Sequence, residues 1–279
     1  MSSSSDFLKS YDIAEPTIRK LYDSRLRLAI IDALKDGPMR LADLRRAVDA
    51  NAPNTSTKAK DLGEIGIVER VGGNYQLTPY GKAVKEQTES SLDFYATYEK
   101  FKDLWETHHT EGIPQEFLFR LGELYNSELI RCSKENPIAT HEALVRYLQT
   151  VKKEMYAISP VIQNEWVHVL AQLMDNGVKM ETVLTEAITK QFAGVAKQAG
   201  RVDDFDKNIG FYINTEKYSL PGTLSSDSFC CFAIESKAVP GNYFDMKLYS
   251  TDSRAIKWAE DLYKYFKERA KPVKLSDYL

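Results

Sequence analysis

The stretch from Asn54 to Gly81 constrains this chain more than any other. A short polar-faced helix leads to Gly63 and Gly66, and two alternating runs, 67–71 and 75–77, are closed by Gly72, Gly73 and Asn74. Gly and Asn accept positive φ at little cost, so this reads as a two-stranded ribbon with a tight turn. The exit, Leu77, Thr78, Pro79, Tyr80 and Gly81, sets proline at the start of a further helix.

Two helices precede it. Leu26, Ile30, Ala33 and Leu34 form one buried stripe behind a Ser24 cap, and Gly37 and Pro38 end that helix. Leu41, Leu44 and Val48 repeat at helical spacing in a second, whose outer face carries Arg40, Arg45 and Arg46; Pro53 and Asn54 then break and recap the chain. On the third helix Ala59, Leu62 and Ile65 face inward, which leaves Thr55, Ser56, Thr57, Lys58 and Asp61 outward. Gly63 within it costs about 1 kcal/mol relative to Ala, a cost that a close helix-helix crossing would explain.

Three helices and a ribbon in this order make an α+β winged helix-turn-helix, and double-stranded DNA is the expected partner. Thr55, Ser56, Thr57 and Lys58 would meet base edges or phosphates, because short donors, acceptors and a cation suit a major groove. Arg40, Arg45, Arg46 and Arg70 would anchor phosphates, with the turn amides of Gly73 and Asn74 beside the backbone. Any small helical domain with a hairpin gives part of this pattern; the exit segment in register favours DNA. Charge agrees. Residues 16–85 hold 13 Lys and Arg against 8 Asp and Glu, a net of +5 in a chain of total charge −3, so the remainder carries −8.

At 279 residues and 43% hydrophobic the chain can build two cores. No apolar run approaches the roughly 18 to 20 residues of a membrane span, and residues 1–6 lack the basic and apolar regions of a leader, so a cytoplasmic protein with no membrane partner is expected. Residues 81–107 show no turn signal, and Leu92, Tyr95, Tyr98, Phe101 and Trp105 recur near helical spacing. One long helix is expected there, its aromatic stripe either pairing two copies into a homodimer or packing on the C-terminal domain. A short helical stretch runs through Leu129. Runs 155–159, 178–185, 209–213, 229–234 and 243–249 then read as strands, with helices between the first three and after the last, which describes a C-terminal α/β domain with a mixed sheet. The expected organisation is a DNA-binding domain at 16–82, a linker or dimerisation helix at 83–108 and an α/β domain at 109–273.

Ligands gather at the carboxyl ends of strands in such sheets. Ser159, Thr185 and Tyr249 mark three ends, and Tyr212 and Asn214 a fourth; an unidentified small-molecule effector is the expected occupant. Ser and Thr at these places also cap helices, which is the competing reading. No catalytic residue and no cofactor are expected. None of the four histidines has Lys two positions on, as phospholipase-D-type hydrolysis requires, and phosphate-binding loops and a Gly-x-Ser-x-Gly elbow are absent. His108 and His109 near Glu106 and Glu111 suit either a metal or a hydrogen-bonded hinge, and without a second cluster no metal is expected. Cys132, Cys230 and Cys231 lack Cys-x-x-Cys spacing and read as buried thiols, with a redox sensor as the alternative.

Residues 105–114, 121–124, 126–129, 248–250 and 255–265 together resemble the middle domain of the archaeal methanogenesis and filament-formation regulators. The resemblance covers about Thr17 to Val273, departing at Ala259, where glycine is expected after the tryptophan. It implies a transcription regulator of a methanogenic archaeon, with a winged helix ahead of a middle domain thought to sense a small molecule. The strand order also resembles sugar-sensing domains of archaeal regulators that share ancestry with phospholipase-D-type enzymes. Two rivals follow from the residues alone: an interaction adaptor whose winged helix binds a protein while the α/β domain serves as a dimerisation platform, and a degenerate hydrolase.

Overall fold

The computed structural model describes residues 3–162, 166–215 and 220–279, so Met1 and Ser2 of the stretch read against a leader lie outside it. The chain divides into two compact units, Met1–Ser91 and Leu92–Leu279. It is an α+β protein with a mixed sheet.

In the first unit α1 (Ser3–Tyr22) and α2 (Arg25–Ala33) precede a short strand β1 (Met39–Arg40), α3 (Leu41–Ala47), α4 (Ala52–Glu64), and the hairpin β2 (Val68–Val71) and β3 (Asn74–Leu77). β3 lies between β1 and β2, antiparallel to both. Ile30, Ile31, Leu34, Leu44, Ala59, Leu62, Ile67 and Leu77 form one core, as the apolar spacing requires. Gly72 and Gly73 both have positive φ, the conformation of a two-residue hairpin turn, and Asn74 joins β3 instead of the turn.

Several local expectations are corrected. Helix α1 begins well before Pro16, which lies inside it, although proline normally interrupts a helix. Ser24 holds the cap position of α2 without a side-chain cap bond. The cap of α4 is Asn51, whose side chain accepts from the Asn54 backbone N–H at 2.9 Å, and Pro53 sits in the first turn, where its missing N–H costs nothing. A Cβ on Gly63 would lie 3.3 Å from the Val68 carbonyl oxygen, so its close neighbour is a strand backbone and not another helix.

Helix α5 (Pro79–Lys100) starts where the exit segment predicts. Thr78 Oγ1 accepts from Gly81 N–H at 2.8 Å, and the Thr78 N–H donates to the Ile67 carbonyl at 3.0 Å. A Cβ at Gly81 would stand 2.0 Å from that carbonyl oxygen, so the position requires glycine. The long helix expected through Thr107 breaks at Phe101, and α6 (Lys102–Thr107) follows. The aromatic stripe divides with it: Leu92, Tyr95 and Tyr98 are exposed, whereas Phe101 and Trp105 are buried.

The second unit continues with α7 (Gln115–Leu118), β4 (Glu128–Arg131), α8 (Ala139–Leu148), β5 (Glu154–Ser159), α9 (Trp166–Asp175), β6 (Lys179–Leu184), α10 (Glu186–Gln198), α11 (Val202–Asn208), β7 (Ile209–Asn214), β8 (Gly222–Ser226), β9 (Cys230–Ala233), β10 (Met246–Ser250), α12 (Ser253–Glu268) and β11 (Ala270–Val273). Eight strands form one sheet in the order β11, β7, β6, β5, β8, β9, β10, β4. β5, β6 and β7 run parallel, joined by α9 and by α10 and α11, and the other neighbours pair antiparallel. Apolar residues of α8 to α11 pack on one face and those of α6, α7 and α12 on the other. The five expected strands are present. β4, β8 and β11 were not legible: β4 falls in a stretch read as helical, β8 is rich in hydroxyls, and β11 carries Pro272, which an edge strand tolerates. Ala259 is fully buried in α12, beside Trp258, whose indole N–H donates to the Phe117 carbonyl at 3.1 Å. Among the described residues no helix is long and apolar enough to cross a membrane.

Candidate functional site

Two regions combine exposed or cavity-facing polar groups with a defined scaffold, one in each unit. In the first unit the region comprises β1, α3, α4 and the hairpin. Arg40, Arg45, Lys60 and Arg70 are exposed. Among the described residues, none of the four has a carboxylate within ion-pair distance. Arg70 lies 5.6 Å from the centre of the Tyr75 ring, a contact that orients the guanidinium without neutralising it. Lys60 is not among the residues that the sequence pattern picks out; it lies three and four positions after Thr57 and Ser56, and that spacing alone puts it on their side of the helix.

Not every expected contact residue is available. Thr55 is fully buried, its Oγ1 donating to the Asn51 carbonyl at 2.9 Å, because the Asn51 cap starts α4 earlier than expected and turns Thr55 toward the core. Asp61, expected outward, is half-buried and accepts from Arg27 Nη2 at 2.6 Å and Nε at 3.2 Å. That hydrogen bond is the main reason its carboxyl is held below the ordinary carboxylate range, despite the opposing effect of burial. Lys58 is half-buried, 3.7 Å from Asp61, and the Arg46 guanidinium is engaged by Asp43 at 2.5 Å. Ser56 is half-buried, Thr57 and Gly73 are exposed, and Asn74 is half-buried at the turn.

In the second unit a cavity of about 950 Å³, counting its open mouth, lies on the sheet face covered by α8 to α10. Its floor is built from small residues on adjacent strands. Ala157 pairs with Thr182 and Leu224, Ser159 with Leu184, and Gly222 with Ala233. Leu144, Trp166, Leu170, Phe192, Tyr243 and Phe244 rise around it, and Lys247 reaches it from β10. Ala157 is only half-buried at the centre of an eight-stranded sheet, which reflects the space above it.

Of the five residues expected at an effector pocket, Ser159 alone lines this cavity, its hydroxyl donating to the Val161 carbonyl at 2.6 Å. Thr185 caps α10, accepting from the Ile188 N–H at 3.3 Å. Tyr249 is buried, stacked on Tyr147, and donates to the Thr140 carbonyl at 2.6 Å. Tyr212 packs with the opposite face of the sheet, its ring 4.8 Å from Lys267 Nζ, and Asn214 is buried opposite Ala270 of β11. Strand ends are a sound general guide, but strand alternation sends Tyr212 to the far face, and the edge pairing covers Asn214. The sequence signal for this cavity is the run of small residues at alternate positions, Ala157 and Ser159, within an otherwise bulky strand.

His108 is fully buried, with Nε2 3.2 Å from Asp245 and Nδ1 2.8 Å from the Thr107 hydroxyl, while His109 lies 3.2 Å from Glu111 at the surface. Among the described residues no three His, Cys, Asp or Glu side chains are grouped to hold a metal ion. Cys230 and Cys231 are buried on opposite faces of β9, and burial raises both thiols above their ordinary range.

Residues 137–269 match the family described as "Methanogenesis regulatory protein FilR1, middle domain", the one that the sequence resembles. Residues 16–100 match a second family, "HVO_A0261 N-terminal domain". A curated relative, "Methanogenesis regulatory protein FilR1" of Methanothrix harundinacea (strain 6Ac), is 24% identical over 267 residues, 93% of this chain and 58% of that protein. The chain thus spans little more than half the length of that relative. Among solved structures, TrmBL2, titled an archaeal chromatin protein, aligns over 90% of this chain and 95% of its own at 15% identity and a TM-score of 0.42. Nuc from Salmonella typhimurium, titled a phospholipase D family member, aligns over 53% of this chain and 99% of its own at 9% identity and a TM-score of 0.40.

Proposed function

We propose that this chain, whose residues 137–269 match the middle domain of a methanogenesis regulatory protein, is a sequence-specific DNA-binding transcription regulator. Residues 16–82 act as the winged helix-turn-helix, 83–108 as linker and pairing surface, and 109–273 as a non-catalytic domain that senses a small molecule. The protein works in the cytoplasm of a methanogenic archaeon as a homodimer on double-stranded DNA. The observation that carries this reading is the set of exposed cations on β1, α3, α4 and β2 that have no carboxylate within ion-pair distance among the described residues, beside a hairpin tip of two positive-φ glycines. In this reading α4 enters the major groove with Ser56, Thr57 and Lys58; Arg40, Arg45, Lys60 and Arg70 hold phosphates, with Arg46 contributing less because Asp43 engages it; Gly73 and Asn74 approach the backbone. Pairing with Arg27 offsets the Asp61 carboxylate of α4.

Pairing of two copies is supported by Leu92, Tyr95 and Tyr98, exposed at i, i+3 and i+6, with Tyr95 at 65%. The sensing role is supported by the cavity of the second unit, a concave, solvent-open site with mostly apolar walls. Mobility shift on the chain's own upstream region tests DNA reading: replacing Thr57, Lys58 and Lys60 with Ala lowers specific affinity by about 1–3 kcal/mol for each base-edge or phosphate interaction removed. Unchanged affinity with the fold intact refutes α4 as the reading helix. An adaptor would instead retain partner binding and show no operator preference.

A further inference from the structure

Building on the sensor reading, we propose that the cavity of the second unit takes a molecule with an apolar body and one carboxylate, and that Lys247 receives the carboxylate. Lys247 is 7% exposed and lines the cavity. Its stem is buried while solvent still reaches the ammonium, so an anion entering the cavity can pair with it without the amine first losing its hydration. Among the described residues, no carboxylate oxygen lies within 4 Å of it and no acceptor forms a hydrogen bond with it; its charge meets the Phe244 ring, 5.1 Å away. The Cys231 thiol nearby is held neutral by burial and supplies no counter-charge. Lys247 alternates with Leu248, which packs with the α12 side of the sheet, so its side chain shares the cavity face with Tyr249.

Among the described residues, several other polar groups around the cavity are engaged or turned away. Ser159 donates to the Val161 carbonyl. Glu181 accepts from Tyr263 and Lys267, both of α12. Thr223 pairs with Ile158 and Phe232 in register, and both pack with the α12 side. The Lys247 ammonium and the Thr182 hydroxyl face walls of Leu, Ile, Met, Trp, Tyr and Phe. A sugar or nucleotide would bury many hydroxyls with too few partners, each unpaired group opposing binding. An aliphatic or aryl monocarboxylate needs one anion contact and apolar walls.

The test uses the full chain, isothermal titration calorimetry, and the matched probes decanoate and decan-1-ol. The expected result is tighter binding of decanoate, by about tenfold or more, since a charged hydrogen bond distinguishes the two. Lys247→Met removes that preference and leaves decanol binding unchanged, Lys247→Arg keeps it, and Ala157→Leu, which fills the floor, weakens both probes. Circular dichroism melting shows whether each variant is folded. Equal binding of the two probes by the native chain, an undiminished preference in folded Lys247→Met, decanoate affinity untouched by Ala157→Leu, or no binding of either probe overturns the proposal. Repeating the mobility shift with saturating decanoate separates the two claims: if every ligand result holds while DNA affinity is unchanged, the ligand class stands and the sensor reading falls.

Discussion

Salt dependence offers the most direct check on the DNA-binding face. Arg40, Arg45, Lys60 and Arg70 are exposed and free of carboxylate partners among the described residues, so each is available to displace a condensed counterion. With four such contacts per protomer, a dimer neutralises about eight phosphates, and log affinity should fall against log salt with a slope of about −7. Between 50 and 200 mM salt, that slope reduces affinity by about 10⁴-fold. Arg45→Ala removes one contact from each protomer, so the slope becomes shallower by about 2, with weakening that is similar for specific and unrelated DNA. Arg46→Ala should change it less, because Asp43 already holds that guanidinium at 2.5 Å. Fluorescence anisotropy with a labelled duplex, repeated across the salt range, measures all three. A native slope near −4 would mean that one protomer makes the contacts, which refutes the dimer; a slope near zero, or no change in folded Arg45→Ala, refutes the phosphate-binding face itself.

Gly81→Ala should destabilise the first unit by about 1–3 kcal/mol or more, because the new Cβ meets the Ile67 carbonyl backbone, 2.0 Å away, and that backbone also accepts the Thr78 N–H; a melting temperature equal to that of the native chain would contradict the packing. Thr55→Val should lose about 1 kcal/mol of stability with the salt slope of DNA binding unaltered, and a changed slope would return Thr55 to the interface. The Asp61 carboxyl is held down by Arg27, so its contribution to stability is present above the ordinary carboxylate value near pH 4 and is lost as pH falls through the lowered folded value; the melting difference between native and Asp61→Asn should therefore shrink on acidification from about pH 6 to 3, and a difference that grows would reverse the sign. Tyr95→Glu should shift light scattering from twice the chain mass toward the monomer, and an unmoved dimer would take the exposed face of α5 out of the pairing surface.

The order of α2, α3, α4 and the hairpin in the first unit was legible because it follows from local chemistry, whereas α1 and β1 were not read from the sequence. Apolar spacing at 26, 30 and 34, paired glycines with positive φ at 72 and 73, and the Thr78, Pro79, Gly81 exit each act within a few residues of chain. The five bulky strands of the second unit were equally visible, and so was the family resemblance. What the chain alone did not disclose depends on partners distant in sequence. β8 reads as polar because its hydroxyls are satisfied or covered only once β5, β9 and α12 surround it, as when Ser225 donates to the Ile256 carbonyl at 3.1 Å. Thr55 turns inward because Asn51 sets the start of α4, and Asp61 is closed by Arg27, 34 positions away. The cavity has the same origin. Ala157, Thr182, Gly222 and Ala233 are ordinary residues singly, and only strand register sets them side by side with Lys247 at their edge. Helix periodicity and turn geometry are properties of neighbouring residues, whereas a sheet's floor, its empty space and the amine that lines it are decided by which strands meet.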